Sequence, residues 1–331
     1  MSLAGPASGL ETGGQSSGSP AALRGRASAF LEEARAAICQ TVRGKPEVVE
    51  LALIAVAAGG HVLVEDVPGV GKTTLARAVA RALGGTLSRV QFTSDLLPGD
   101  ITGVTVLDPS GGFSFRQGPV FANVLLADEI NRAGPKTQSA LLEAMSERRV
   151  TVDGASHPLP SPFLVLATQN PLDFHGTFPL PDSQLDRFLV RLSMGYPALE
   201  HERAILRSGG ARRAELAPAL RLEQVREIVE AVELVDVHEE VEDYLLRIVR
   251  QTREDPRFLR GVSTRGAEAL YRASRARALL HGRGFVIPED VYELVLPVLA
   301  HRLIPRAEGE RPGVAARTAL LGLLEDTRPP G

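Results

Sequence analysis

Apolar residues recur at helical spacing from about Ser28 to Ala58, and Gly59-Gly60 closes that stretch as glycines close a helix. The pattern then changes. "HVLVE", "RVQF", "NVLLAD", "FLVLATQ" and "FLVRLSM" are short, nearly continuous apolar runs, which predict buried strands. Lys72 to about Leu83 and "TQSALLEAMSER" predict helices between them. The alternation predicts an α/β fold whose parallel sheet is covered by helices on both faces. Two segments interrupt it: Pro98 to Pro119, around "DPSGG", and Arg148 to Phe163, around Asp153-Gly154, both predict hairpins. After Tyr196-Pro197 the strands stop, and helical periodicity runs through about Leu199 to Ser208, Leu222 to Leu234, His238 to Glu254, Thr264 to His281 and Pro288 to Leu303. The expected organisation is a disordered tail at 1–27, an α/β domain at 28–197, a smaller all-helical domain at 198–325 and a short tail at 326–331.

Composition narrows the function classes. The 331 residues carry a formal net charge of −3, so a general attraction to nucleic acid or an anionic membrane is not expected. One cysteine, Cys39, excludes an internal disulfide framework and a cysteine zinc cluster. The start, "MSLAGPASGLETGGQSSGSPAALRG", lacks the basic-then-apolar pattern of a signal peptide and reads as a Gly/Ser-rich tail. The longest apolar run is broken by Gly59, Gly60 and His61, too early to span a bilayer. A cytoplasmic protein is the expectation. Lysine occurs only at Lys45, Lys72 and Lys136, which makes a lysine inside a glycine loop more telling.

That loop is "EDVPGVGKTT", Glu65 to Thr74. Strand, glycine loop and helix form the context in which backbone N–H groups cradle phosphates, Lys72 supplies a charge and the Thr73 hydroxyl ligates Mg²⁺. Asp66 stands where the general pattern has its first glycine; aspartate is among the few residues that tolerate a positive φ, and its charge is expected to point away from the phosphates. On that view Asp66→Gly leaves ATP affinity similar or improves it modestly. The run "VLLADE" ends a buried strand in two acids, Asp128 to hold Mg²⁺ and Glu129 to polarise an attacking water. Asn170, after "FLVLATQ", positions the water or is a turn asparagine. Arg187 in "QLDRF" is a finger reaching a neighbour's γ-phosphate or a solvated arginine. Arg265 lies in the first turn of a helix, where a cation opposes the helix dipole; it has an anionic partner or is a surface arginine.

Taken together, "GGHVLVEDVPGVGKTTLARAVA", "DLLPGDITG", "VLLADEINRAGPKTQSALLEAMSERRVTVDG", "FLVLATQNP", "FPLPDSQLDRFLVRL" and "GVSTRGAEALYRASRARALLHGRGFVIPEDV" resemble the MoxR family of AAA+ ATPases over about Ser28 to Pro305. The resemblance implies an AAA+ P-loop sheet sandwiched by helices and followed by a helical lid. It implies an ATP site of Pro68, Gly69, Val70, Gly71, Lys72, Thr73 and Thr74, with Val42 and Gly44 over the adenine and Mg²⁺ held by Thr73 and Asp128. It makes Glu129 the catalytic acid, Asn170 the first sensor, Arg187 the arginine finger and Arg265 the second sensor, with one ATP bridging Lys72 and Arg265 of a subunit and completed by Arg187 of the next. Family members resemble magnesium-chelatase motors, form hexameric rings and act with partners carrying a von Willebrand factor A domain, as chaperones that remodel client proteins or assist metal-cofactor insertion. Their two hairpins face the pore in related machines. The departures are Asp66 and "STRG", where the lid more often reads Ser-Pro-Arg. A nucleic-acid-dependent motor and a nucleotide-binding scaffold without turnover are the alternatives.

Overall fold

The structure is a computed structural model that describes residues 19–109, 111–170, 176–207, 217–306, 312–327 and 329. The chain enters through α1 (Pro20–Thr41) and α2 (Pro46–Ala57), then runs β1 (Val62–Glu65), α3 (Lys72–Ala82), β2 (Leu87–Gln91) and a short α4 (Pro98–Thr102). The hairpin β3 (Gly103–Leu107) and β4 (Phe113–Gln117) precedes β5 (Val124–Asp128), α5 (Pro135–Glu147), the hairpin β6 (Arg149–Val152) and β7 (Ala155–Pro158), β8 (Leu164–Gln169), α6 (Asp182–Leu185) and β9 (Val190–Leu192). Beyond lie α7 (Leu199–Arg207), α8 (Leu222–Val232), α9 (Glu239–Glu254), β10 (Phe258–Arg260), α10 (Thr264–Leu280), α11 (Pro288–Leu299), β11 (Ile304–Pro305) and α12 (Pro312–Asp326).

Five strands form a parallel sheet in the order β2-β5-β8-β1-β9. Their apolar runs are continuous because both faces are buried. Val62, Val64, Val124, Leu126, Leu164 and Leu166 point into the core shared with α1, α2 and α3, while Leu63, Leu125, Ala127, Val165 and Ala167 meet Leu141, Leu142 and Met145 of α5 on the other face. The order makes β8 the neighbour of both β1 and β5, so the carboxyl ends of these three strands share one edge, where α/β sheets place their ligands.

Both hairpins are present, and Asp153 and Gly154 take positive φ of 49° and 79°, as a two-residue hairpin turn requires. Phe115 of one stacks on His157 of the other at 3.9 Å between ring centroids, which joins them into one body.

Two features depart from what the sequence predicts. The first helix begins at Pro20, inside the segment expected to be a tail: the Ser19 hydroxyl accepts from Ala22 N–H at 3.3 Å, and Pro20 opens the first turn without wasting a donor. Arg24 then donates to the Leu234 carbonyl at 2.8 Å, tying this early turn to the end of α8. The C-terminal half is not wholly helical, since β10 and β11 form a short antiparallel ladder too brief to leave a period of two. The end expected for one helix, Ser208, and residues 1–18, 328, 330 and 331 of the two tails lie outside the described residues.

The placement of α10 matters most for the site. Arg277 and His281, near its end, reach Glu50 in the first turns of α2 at 3.5 and 3.0 Å, while Arg272, further back, approaches the Ala58 carbonyl at 3.5 Å. The two helices therefore run antiparallel, and α10 begins beyond the end of α2, beside the amino end of β1.

Candidate active site

The loop between β1 and α3 is built by glycines at the two positions where backbone geometry demands them: Gly69 and Gly71 have φ of 85° and 102°. Around Gly69 an added Cβ would meet nothing within 4 Å, so the requirement there is conformational rather than spatial. Gly71 leads into α3 with no side-chain cap, which leaves first-turn N–H groups directed at the loop. Leu75, Ala76 and Val79 bury the helix and fix its direction. Val70, Lys72, Thr73 and Thr74 are partly buried along the loop and first turn, and Pro68 is exposed at its crest. Lys72 folds back so that its ammonium donates to the carbonyls of Asp66 at 2.8 Å and Val67 at 3.4 Å. Burial lowers its pKa below the ordinary lysine value, against the opposing fields of Asp66, Asp128 and Glu129. Those opposing charges place both strand-end acids within electrostatic reach of the loop lysine.

Asp66 does not adopt a positive φ, so the conformational reason offered for it from sequence fails. Its carboxylate is buried on specific partners: it accepts from Val67 N–H at 2.8 Å, Ser193 hydroxyl at 2.9 Å and Gly195 N–H at 2.7 Å. Burial pushes its pKa up, yet those hydrogen bonds, led by Gly195, outweigh it and hold the carboxyl below the usual aspartate value.

Asp128 ends β5, buried, with one oxygen accepting from the Thr168 hydroxyl at 3.2 Å and the other paired with Arg89 of β2 at 2.7 Å. Glu129 follows in a left-handed conformation, φ 57°, a strain of order 1–3 kcal/mol that functional sites tolerate when neighbours enforce it. Here the enforcing neighbour is again Thr168, whose hydroxyl oxygen accepts the Glu129 N–H at 2.9 Å. Arg132 holds the Glu129 carboxylate at 2.8 Å. Asn170 sits just past the end of β8, half-buried, between the loop and the two acids. Neither Thr168 nor Arg89 stands out from sequence; the one available signal is the hydroxyl that directly follows the apolar run "FLVLA".

Thr168→Val removes both bonds while preserving shape. Hydrogen bonds to charged groups contribute about 1.5–3 kcal/mol, so turnover is expected to fall at least about tenfold with nucleotide affinity nearly unchanged. Steady-state kinetics beside equilibrium binding would check this; an equal loss in both would refute a role specific to the two acids.

The Val42 to Lys45 segment follows α1. Val42 is buried in the core and Gly44 has φ 70°. The His201 ring of α7 lies against Gly44, 2.7 Å from where a Cβ would stand, and Lys45 donates to the Tyr196 carbonyl at 2.8 Å. These contacts bring the segment beside the chain that leads from β9 into α7.

Arg187 and Arg265 lie elsewhere. They line a cavity of about 850 Å³ with His61, Asp186, Arg272 and Arg302, at the amino end of β1 and hence across the sheet from the loop that follows its carboxyl end. Arg187 donates to the Leu142 carbonyl at 2.7 Å and to the Ser146 hydroxyl, while its Nε is buried with no hydrogen-bond partner. Arg265 is exposed in the first turn of α10, behind Ser263, which caps Gly266 N–H at 3.1 Å and donates to Asp186 at 3.1 Å. Asp186 is also held by Arg302 at 2.7 Å. The structure thus brings together Lys72, Asp128, Glu129 and Asn170 at one edge, and Arg187 with Arg265 at the other. A single ATP bridging Lys72 and Arg265 of one subunit does not fit this placement; the docking of α10 against α2 is the reason.

The donors offered to a metal are the Thr73 hydroxyl and the Asp128 carboxylate. Mg²⁺ ordinarily takes one or two carboxylates together with phosphates and water, so the set fits Mg²⁺ held with a nucleotide. Among the described residues no group of three or more His, Cys, Asp or Glu could hold a metal by itself.

Residues 61–190 match the model of the ATPase family associated with various cellular activities (AAA), and residues 250–319 match an AAA lid domain. Uncharacterized protein YeaC of Bacillus subtilis is 44% identical over 290 residues, covering 87% of this chain and 91% of that one. Chaperone MoxR1 of Mycobacterium tuberculosis is 42% identical over 284 residues, covering 83% of this chain and 75% of the relative. A crystal structure of a Cytophaga hutchinsonii protein assigned as an ATPase superposes with a TM-score of 0.84 at 34% identity, covering 94% of this chain and 97% of that one.

Proposed function

Because the chain belongs to the MoxR family of AAA+ ATPases and is an enzyme that hydrolyses ATP, we propose that it does so in a ring, each ATP held by the loop of one subunit and completed by Arg187 and Arg265 of the next. The observation that carries this reading is the location of both arginines in one cavity across the sheet from Lys72. A buried guanidinium Nε without a partner and an exposed neighbouring arginine suit an anion delivered from outside the subunit. Backbone N–H groups of Gly69 to Thr73 and the Lys72 ammonium bind the phosphates, and Val42 and Gly44 flank the base. Thr73 and Asp128 hold Mg²⁺, which when bound neutralises charge on the phosphates. Glu129 takes a proton from the attacking water, and Asn170 orients that water. Arg89 and Arg132 pair with the two acids and keep them ordered until then.

The work done with that energy is remodelling of a protein client, or assistance to metal-cofactor insertion or complex assembly. The relative called Chaperone MoxR1 supports the chaperone reading. The joined hairpins support it too: Leu107 and Phe113 pair across β3 and β4 and stand 64% and 78% exposed, an apolar tip suited to gripping a polypeptide. A hexamer and a partner with a von Willebrand factor A domain are what the family resemblance implies, and the single cysteine suits a cytoplasmic setting. Among the described residues no helix is long and apolar enough to cross a membrane.

Light scattering with a slowly hydrolysed ATP analogue tests the ring. The expected mass is about sixfold the subunit's; a monomer at every nucleotide and protein concentration would end this reading. ATPase stimulation by DNA that falls steeply with salt would move the assignment to a nucleic-acid motor.

A further inference from the structure

Where the general phosphate loop has a glycine, Asp66 makes bonds in three directions. Its N–H donates to the Gln169 carbonyl at 3.1 Å, next to Asn170, and its own carbonyl accepts the Lys72 ammonium at 2.8 Å. A glycine could make both of those. What the aspartate adds is its side chain, which is 8% exposed as a residue and accepts from Ser193 and Gly195, 127 and 129 residues further along the chain. Those partners belong to the segment after β9 that continues through Tyr196 into α7. The same segment is held a second time by Lys45 on the Tyr196 carbonyl, and a third time by His201 against Gly44. A buried carboxylate with every bond satisfied is expensive to place and costly to break, so it marks a connection the fold keeps rigid.

We propose that Asp66 is a positioning residue that couples the phosphate loop to residues 193–196, so that occupancy of the loop is transmitted to the start of α7. This rests on the reading of the loop as the nucleotide site. In the present arrangement the Lys72 ammonium braces the carbonyls of Asp66 and Val67. When the ammonium turns to phosphate oxygens, that brace is released and the 66–67 peptide is free to shift. With glycine at 66 the shift would end in the loop. With aspartate, Ser193 and Gly195 move with it.

Hydrogen exchange of full-length protein, with and without ATP, separates coupling from simple support. In the wild type ATP is expected to slow exchange both in the loop and in the peptide covering 193–201, because openings of linked segments share one equilibrium. In Asp66→Gly the loop is still expected to be protected by ATP, with affinity for a fluorescent ATP analogue within about threefold of wild type, while the ATP-dependent slowing at 193–201 falls at least about fivefold. Asp66→Asn, which keeps an acceptor for Gly195, is expected to restore part of that response. Ser193→Ala breaks one bond and leaves the loop's own residues intact, so it serves if Asp66→Gly does not fold. Undiminished ATP-dependent slowing at 193–201 in Asp66→Gly or Ser193→Ala, with nucleotide bound, would overturn the coupling. Absence of any ATP binding by the wild type would instead overturn the assignment of the site.

Discussion

Glu129→Gln is expected to bind ATP with near wild-type affinity and to hydrolyse it roughly 10²–10⁴ times more slowly, the usual contribution of a positioned general base. The amide keeps the size of the side chain and the backbone remains pinned by Thr168, so the strained turn that aims residue 129 is preserved. Asp128 and Thr73 are untouched, which leaves the metal donors in place. The ability to accept a proton is lost, and the ion pair with Arg132 is reduced to a neutral hydrogen bond. Binding of a fluorescent nucleotide alongside phosphate release would measure both halves of the statement. Turnover above about a third of wild type would remove Glu129 from the reaction, since no general base contributes so little.

The second large effect concerns Arg187 and Arg265. Either residue changed to alanine is expected to lower turnover by about 10³, the range for an arginine that meets transition-state charge, with little change in the affinity of the loop for ATP. Lys72→Ala is expected to lose nucleotide binding instead. Mixing Arg187→Ala with Lys72→Ala subunits creates interfaces that pair an intact loop with an intact arginine, so activity should reappear in the mixture although neither variant has it alone. The same should hold for Arg265→Ala. Complementation by one arginine variant and not the other would show that the two act in different subunits. No complementation by either would remove the shared site altogether.

Much of this was legible in the chain because the strands are buried on both faces. Burial of Val62 to Val64, Val124 to Asp128 and Leu164 to Thr168 forces unbroken apolar runs, and a run that ends in acids or follows into glycines announces which end carries chemistry. Lys72, Asp128 and Glu129 could be paired from sequence for that reason. What could not be read depends on contacts between distant segments. The side on which Arg265 falls is decided by Arg277 and His281 meeting Glu50, over two hundred residues earlier in the chain. The partners of Asp66 lie similarly far off, and no local preference points to Ser193 or Gly195. Thr168 was hidden in another way: a hydroxyl in a buried strand looks like a tolerated substitution until its two bonds are seen. The early start of α1 is hard to read because "AALRGRA" is small and charged: only Leu23 and Ala27 extend the buried stripe of Leu31, Ala34 and Ile38, and Arg24 reaching Leu234 completes the docking.

The separation of the loop from the arginines, by the length of a strand, bears on regulation as well as on chemistry. On the proposed roles, a subunit built this way would carry a binding half and a triggering half that it could not fold onto each other. Alone, it would store ATP without spending it. Specific activity would then rise with protein concentration and saturate, and dilution would act as an off-switch that needs no inhibitor. Any factor that gathers subunits in one place, whether a client, a scaffold or a partner bound to several at once, would turn the enzyme on where it gathers them and nowhere else.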